Sequence, residues 1–214
     1  MRRRTLLGGG VAIGAAAVAL PPLASPGHAA PIGSGWTEIT PGYKLDQPPG
    51  RTRHSLGADG EHHFWIYDTD PSTYPGRDSG PRSELRFRND YTSGQAQFEA
   101  DLKVTAGSYR PCVMQIFGAS TQATTFMALA LDNRLNYYDS ARVIHAPIYD
   151  TYLRLNVVHD TAARAVHVFV NRQFRATFAD HGPGTHYFKC GLYGRSGMSA
   201  RCDAYLNNIR LYRK

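Results

Sequence analysis

Short runs in which apolar and polar residues alternate dominate the chain, and helix signals are scarce. A period of two residues is typical of β-strands that bury one face. Turn sequences such as Asn89-Asp90 and Gly182-Pro183 separate the runs. We therefore predict an all-β fold of one domain, a two-sheet sandwich or β-jelly roll. The predicted strands are residues 64–67, 83–87, 97–104, 113–117, 125–131, 152–159, 165–170, 187–192 and 205–212. Residues 153–178 are predicted to form a three-strand meander with turns at 160–161 and 171–172, which adds a strand that ends near residue 178.

Two segments stand out because their polar faces carry charged and hydrogen-bonding groups. Segments 82–87 and 187–193 each direct apolar residues to one side and polar residues to the other. A row of cations and hydrogen-bonding groups is what a groove for an acidic polymer requires. The residues of these polar faces are Arg82, Glu84 and Arg86 in the first segment and Tyr187, Lys189 and Tyr193 in the second.

The first 30 residues have the composition of a secretory signal peptide. Three arginines follow Met1, an uncharged stretch covers residues 8–20, and small residues precede a cleavage site after Ala29 or Ala30. Consecutive arginines favour the twin-arginine export route. A membrane anchor is the alternative, but the stretch is broken by prolines and is shorter than the ~20 strongly apolar residues of a membrane span. We expect residues 1–29 to be removed and residues 30–214 to form one secreted, extracellular domain.

The formal net charge is +7, and it falls to +4 without the three arginines of the signal peptide. A modest positive charge suits an acidic polymer. Nucleic acid is disfavoured because the chain has no Lys/Arg-rich tract, helix-turn-helix pattern or zinc-finger spacing. We expect an acidic polysaccharide as the partner, with no nucleic acid, no membrane and a monomeric state. We expect no cofactor and no catalytic metal, and the sequence leaves a structural calcium ion open although it shows no calcium-loop motif.

Three cysteines remain in the secreted part. Cys190 and Cys202 flank a segment that resembles a hairpin loop, so a disulfide between them is left open, with Cys112 unpaired. A second open question is the long loop at residues 68–80, which is rich in Pro, Gly, Ser and Asp and directly precedes Arg82. It is either a lid over the groove or a surface excursion without a role.

Three sequence blocks occur in a fixed order along the chain. They are Arg-Ser-Glu-Leu-Arg at 82–86, Gln-Ile-Phe at 115–117, and Tyr-Phe-Lys-Cys-Gly-Leu-Tyr at 187–193. Together they resemble the alginate-lyase-like polysaccharide lyases of family 7, and the related jelly-roll glucuronan lyases. The resemblance implies a concanavalin-like jelly roll whose concave sheet binds a uronic-acid polymer and cleaves it by β-elimination.

The resemblance also implies roles for the site residues. Arg86 or Arg82, together with Gln115, would neutralise the substrate carboxylate, and Tyr193 would transfer the proton. Lys189 would support the phenolate or bind substrate, and Glu84 would orient Arg82 and Arg86. Substrate contacts are expected from Arg82, Glu84, Lys189, Tyr187 and Arg195. The alternative for these residues is a plain ion-pair ladder with tyrosines that only pack the sheet.

The chain departs from the family at Phe117, where a histidine is expected. In glucuronate and mannuronate the C5 proton and the C4 oxygen lie on the same side of the ring, so one tyrosine can serve as base and then as acid. Guluronate needs two groups on opposite sides, and we therefore expect glucuronate or mannuronate to be preferred. A histidine from elsewhere is the alternative replacement, and the candidates are His63 and His54, followed by His62, His145, His159 and His167.

Two other functional classes compete with a lyase. A carbohydrate-binding jelly roll would keep the groove and lack the chemistry, in keeping with the absent histidine. A glycoside hydrolase would need two carboxylates about 5 to 9.5 Å apart across the bond. Glu84, Glu99 and Asp101 form no recognisable pair motif for that reaction.

Overall fold

A computed structural model describes residues 30–77 and 79–214, so the predicted signal peptide at 1–29 lies outside the described residues. The described part contains strands and no α-helix, and hence no helix that could cross a membrane. The strands are β1 (Thr37–Ile39), β2 (Tyr43–Asp46), β3 (His54–Leu56), β4 (His62–Tyr67), β5 (Arg82–Phe87), β6 (Gln95–Val104), β7 (Cys112–Phe117), β8 (Thr124–Leu131), β9 (Arg134–Tyr137), β10 (Val143–His145), β11 (Leu153–Asp160), β12 (Ala165–Val170), β13 (Gln173–Ala179), β14 (Tyr187–Tyr193) and β15 (Arg201–Arg213).

These strands form two antiparallel sheets within residues 31–214. The back sheet has the order β13-β12-β11-β6-β15-β4-β3, and β1 pairs with β15. The front sheet has the order β10-β9-β8-β7-β14-β5-β2. Two antiparallel sheets packed face to face confirm the predicted all-β sandwich.

Each predicted strand coincides with one of the longer observed strands, β4 to β8 or β11 to β15, with β13 as the third strand of the predicted meander. The prediction missed β1, β2, β3, β9 and β10, which contain only three or four residues each. Strands of three or four residues are too short to show the period-two pattern clearly, because that pattern is counted over about four to eight residues.

The hydrophobic core lies between the sheets, where alternate residues of both meet. Phe64 and Phe98 of the back sheet and Phe126 and Phe188 of the front sheet are all fully buried. The rings of Phe98 and Phe188 contact across the interface, with centroids 5.9 Å apart. Burial of one such side chain contributes about 2 kcal/mol. Because Phe188 faces inward, its neighbours on β14 are directed to the outer face of the front sheet.

The register of the front sheet brings the three sequence blocks together. Strand β14 lies between β5 and β7, so residues about a hundred positions apart become cross-strand neighbours. Lys189 pairs with Arg86 on one side and with Gln115 on the other. Tyr193 pairs with Arg82, and Tyr187 pairs with Phe117.

The cysteines are all unpaired and buried. Cys190 lies on β14 in the front sheet, whereas Cys202 lies on β15 in the back sheet. The segment between them therefore crosses from one sheet to the other and is not a hairpin loop. Cys190 and Cys202 do not form the disulfide that the sequence left open.

Candidate active site

A buried carboxylate lies at the centre of the front sheet. Glu84 of β5 is only 2% exposed. Gln115 donates from Nε2 to its Oε2 at 2.8 Å, while Arg82 Nη1 and Lys189 Nζ both contact its Oε1. Three donors from three adjacent strands thus converge on one side chain. A buried carboxylate is tolerable because cations and hydrogen bonds compensate the loss of water. Glu84 orients Arg82 as predicted, but its other partners are Gln115 and Lys189 and not Arg86.

A second carboxylate extends this cluster toward the edge of the sheet. Asp46 of β2 lies 3.4 Å from Lys189 Nζ and 2.9 Å from Lys44 Nζ. The Tyr74 hydroxyl donates to Asp46 Oδ2 at 2.6 Å. Burial opposes ionisation, but hydrogen bonds from Tyr74 and Lys44 hold the pKa of Asp46 below its ordinary value. Burial and the bond to Asp46 raise the pKa of Tyr74, which therefore remains a donor.

Tyr74 belongs to the long loop at 68–80, and this loop contacts the site at two points. Besides the bond from Tyr74 to Asp46, the Arg82 amide donates to Thr73 Oγ1 at 2.9 Å. The Arg82 guanidinium carbon also lies 5.4 Å from the centroid of the Tyr74 ring. The loop is therefore part of the site wall and not a surface excursion without a role.

Tyr193 lies at one end of the cluster, between two arginines. The guanidinium of Arg82 stacks over its ring at 3.5 Å from the centroid. Arg195 approaches from the loop after β14, and its Nη1 donates to the Tyr193 hydroxyl at 3.4 Å. Burial works against the charge of Arg82, but Glu84 raises the pKa of Arg82 above its ordinary value. The proton-transfer candidate thus has one cation at its face and one at its oxygen.

Arg86 and Tyr187 lie at the opposite end. Arg86 stacks over the Tyr187 ring at 3.8 Å and pairs with Asp90 at 2.8 Å. Phe117 also stacks on the Tyr187 ring, and the two ring centroids lie 5.1 Å apart. Four residues of strand, about 13 Å, separate Arg86 from Arg82. Of the two arginines proposed for catalysis, the structure therefore brings Arg82 to Tyr193 and leaves Arg86 beside Tyr187.

The two preferred histidines do not lie with Tyr193. His63 is on β4 of the back sheet, where its Nε2 is 2.9 Å from Asp203 Oδ1 and its ring stacks on Tyr205. His54 is on β3 and packs against Phe64 of the core. Burial lowers the pKa of His54 to about 4. Both expectations were wrong because alternation gives the face of a strand and not the sheet that the strand joins.

The remaining histidine candidates also belong to other parts of the described chain. His62 packs beside His54, His145 lies on β10 at the far edge of the front sheet, and His159 and His167 lie in the back sheet. Within residues 30–77 and 79–214, no histidine contacts Tyr193. The same residues contain no group of three His, Cys, Asp or Glu side chains that could hold a metal ion.

Two residues of the site were not predicted from the sequence. Asp46 lies on a strand of only four residues, and Tyr74 lies in a loop without periodicity. Neither position carries a motif. Asp46 reaches the cluster through the pairing of β2 with β5, and Tyr74 reaches it from the loop by its hydrogen bond to Asp46.

Comparison with known proteins agrees with this architecture. A family model described as alginate lyase matches residues 38–211. A citrate-binding protein of Hevea brasiliensis is 36% identical over 187 residues, which cover 84% of this chain and 78% of that protein.

Solved structures of low sequence identity share the fold. The alginate lyase AlgAT5 of polysaccharide lyase family 7 superposes with a TM-score of 0.65 at 19% identity, covering 80% of this chain and 94% of that one. An alginate lyase from Corynebacterium sp. gives a TM-score of 0.61 at 17% identity, covering 74% and 80% of the two chains. With the family match spanning most of the sequence, the chain belongs to the alginate lyase family of polysaccharide lyases.

Proposed function

We propose that the protein is a secreted polysaccharide lyase that cleaves a uronic-acid polysaccharide by β-elimination, and that it prefers glucuronate or mannuronate to guluronate. The family supports the lyase class. One observation carries the proposed mechanism, namely that Tyr193 lies between the guanidinium groups of Arg82 and Arg195. Export rests on the signal-peptide pattern at residues 1–29.

The reaction explains why these residue types are needed. A base removes the C5 proton, which is weakly acidic because C5 bears the carboxylate. The electrons left at C5 form the C4=C5 double bond, and the C4–O bond breaks. The departing oxygen takes a proton from the acid. Charge builds up on the carboxylate during proton removal, so fixed donors at that position lower the barrier.

We assign the proton transfers to Tyr193 and carboxylate recognition to Arg82 and Gln115. Arg82 offers a planar fork that can grip two carboxylate oxygens. The bonds that Glu84 accepts from Arg82 and Gln115 fix both donors before substrate arrives. Lys189, held by the same carboxylate, adds positive charge at the centre of the row.

Phe117 supports the substrate preference. An aromatic side chain cannot transfer a proton, and Phe117 stacks on Tyr187 at a distance from Tyr193 along β14. A single base and acid suffices only where the C5 proton and the C4 oxygen share one face of the sugar. That geometry occurs in glucuronate and mannuronate, and guluronate would lack its second catalytic group.

The first test is a comparison of substrates. The purified protein is mixed separately with glucuronan, polymannuronate, polyguluronate and a glucuronate-bearing heteropolymer, and the ultraviolet absorbance of the new C4=C5 bond is followed. We expect the absorbance to rise with glucuronan or polymannuronate and much less with polyguluronate. Equal or faster cleavage of polyguluronate would overturn the proposed preference.

The second test removes one oxygen. Tyr193→Phe should abolish turnover and leave polymer binding nearly unchanged, because only the proton-transferring hydroxyl is lost. Tyr205→Phe, on β15 of the back sheet, is the matched control and should retain most of the activity. If Tyr193→Phe keeps most of the wild-type rate, Tyr193 is not the proton-transfer residue.

A second candidate function is binding of carboxylated ligands without turnover. It is favoured by Phe117 and by the similarity to a protein named for citrate binding. Calorimetric titration with citrate and with short uronate oligomers separates the candidates. Binding without any rise in double-bond absorbance on all four polymers would favour the binding function.

A further inference from the structure

Arg195 contacts the hydroxyl oxygen of Tyr193, the proposed proton-transfer residue. Its Nη1 lies 3.4 Å from the Tyr193 hydroxyl, and its guanidinium carbon lies 5.5 Å from the centroid of that ring. The oxygen it contacts is the atom to which the proton transfers are assigned. Arg82, by contrast, lies over the face of the ring.

The other cations of the site each have an acidic partner. Arg82 and Lys189 pair with Glu84, and Arg86 pairs with Asp90. Among residues 30–77 and 79–214, no carboxylate forms an ion pair with Arg195, although Asp68 lines the pocket beside it. The positive charge of Arg195 lies next to the Tyr193 oxygen and attracts an anion that enters beside it.

The loop that carries Arg195 is held in place by backbone contacts. The Gly194 amide donates to Pro81 O at 2.8 Å, and the Met198 amide donates to Arg195 O at 3.0 Å. A Cβ atom on Gly80 would lie only 2.1 Å from Gly194 O, so the close approach of the two segments requires glycine. The position of Arg195 is thus set by the fold and not by a freely moving loop.

An open pocket adjoins this arginine. It has a volume of about 240 Å³ and lies between the segment before β5 and the loop after β14. A sugar unit that reaches Tyr193 could extend into it, and the anionic substrate would bring its own charge toward Arg195. The pocket is lined by Asp68, Gly80, Pro81, Gly194, Arg195 and Met198, together with Ser196 and Gly197.

We propose that Arg195 is a further catalytic residue, which stabilises the phenolate of Tyr193. This inference rests on the proposed function. The phenolate takes the C5 proton, the C5–H electrons form the C4=C5 bond, and the C4–O bond breaks. The departing O4 then takes the proton from the Tyr193 hydroxyl, which restores the phenolate. No proton or electron is gained or lost by the enzyme over the cycle.

Besides Arg195, the side chains that face Tyr193 include one further cation, Arg82. Arg82 lies on β5, while the thiol of Cys112 on β7 and two further tyrosines pack with Tyr193 around an apolar patch. The two further tyrosines are Tyr109 and Tyr138. Burial raises the pKa of Cys112 and of Tyr138 to about 12, so neither is charged near neutral pH, and the cations beside the phenol are Arg82 and Arg195.

The test measures kcat and KM as a function of pH for Arg195→Gln and Arg195→Lys. Loss of one donor that stabilises the reacting oxyanion should lower kcat of Arg195→Gln by about 100-fold near neutral pH. The rise of kcat with pH should move to higher pH, and Arg195→Lys should recover part of the rate. Arg201→Gln, which removes an exposed arginine paired with Asp203 on β15, is the control and should behave as wild type. Circular dichroism spectra and thermal melting of each variant verify the fold.

The outcomes separate this inference from the proposed function. If Tyr193→Phe is inactive while Arg195→Gln keeps the wild-type kcat and pH profile, the role of Arg195 is refuted and the lyase mechanism stands. A raised KM with unchanged kcat would also refute it, because Arg195 would then only bind substrate. If Tyr193→Phe is itself active, the proposed mechanism fails before Arg195 is considered.

Discussion

The guanidinium of Arg82 stacks on the ring of Tyr193, with 3.5 Å between its central carbon and the ring centroid. The two residues are direct cross-strand neighbours on β5 and β14. A cation at this distance stabilises the aromatic face by about 1 to 2 kcal/mol where water is excluded. The pairing therefore fixes the orientation of the phenol and places a carboxylate-binding fork beside it.

We predict that Arg82→Lys will lower kcat by about 10- to 100-fold although the charge is kept. A lysine has no planar fork for two carboxylate oxygens and cannot stack flat on Tyr193. Arg86→Lys is the matched control, because Arg86 stands on the same face but beside Tyr187. The measurement is steady-state kinetics of both variants on the best polymer. A larger loss for Arg86→Lys than for Arg82→Lys would contradict the assignment.

Glu84→Gln should destabilise the fold by about 3 kcal/mol, because Arg82 would remain buried without its counter-charge and Lys189 would keep only Asp46 as an acidic partner. The free energy of unfolding from urea titration gives this value directly. The control is Glu38→Gln, which breaks a pair with Arg210 in which the Glu38 side chain is 49% exposed. That change should cost less than about 1 kcal/mol. Equal effects of the two substitutions would show that the Glu84 cluster does not stabilise the sheet.

Phe117→His should increase the rate on polyguluronate relative to that on polymannuronate. The substitution adds a group that can transfer a proton at the position where the family has its histidine. Phe117→Ala is the control, since it also loses the stacking on Tyr187 but adds no base. Rates on the two homopolymers are compared for each variant. An unchanged ratio in Phe117→His would argue against the link between this position and substrate choice.

The stability of the protein should fall as the pH decreases from about 6.5 toward 4. Burial is the main cause that lowers the pKa of His159 to about 4, and His186 adds to it, although Asp180 opposes the shift. The unfolded state therefore binds a proton in this window and the native state does not. Titration of His159 should therefore lower the free energy of unfolding by on the order of 1 kcal/mol for each pH unit of decrease in this range.

Urea titrations at several pH values test the slope. His159→Gln removes the titrating group and should flatten the dependence, whatever its effect on absolute stability. His167→Gln is the control, because His167 is more exposed and bonds only to Thr177. A slope that is identical in the wild type and in His159→Gln would contradict the prediction.

The central strands and the central site were predictable because they satisfy two constraints at once. Arg82, Glu84, Lys189 and Tyr193 alternate with buried residues, and their motifs recur in a family with known order. The longer strands bury a full face and therefore show their period clearly. The side chains that converge on Glu84 were found in this way.

The features that were not predictable from the sequence depend on how the strands assemble into sheets. The sequence shows the face on which His63 points, but it does not show that β4 joins the back sheet. The same limit explains why residues 194–201, between Cys190 and Cys202, resemble a hairpin loop in the sequence although the chain crosses there from one sheet to the other. Asp46 and Tyr74 reach the site only through edge pairing and a loop, and neither has a local signature.

The three buried thiols have a consequence for where the chain can fold. Burial raises the pKa of Cys112 and Cys202 to about 12, and a protonated thiol is a poor nucleophile. Because no disulfide is part of the native structure, a reducing agent removes no stabilising cross-link from it. The chain can therefore complete its folding with its thiols reduced and needs no oxidase to reach its native state.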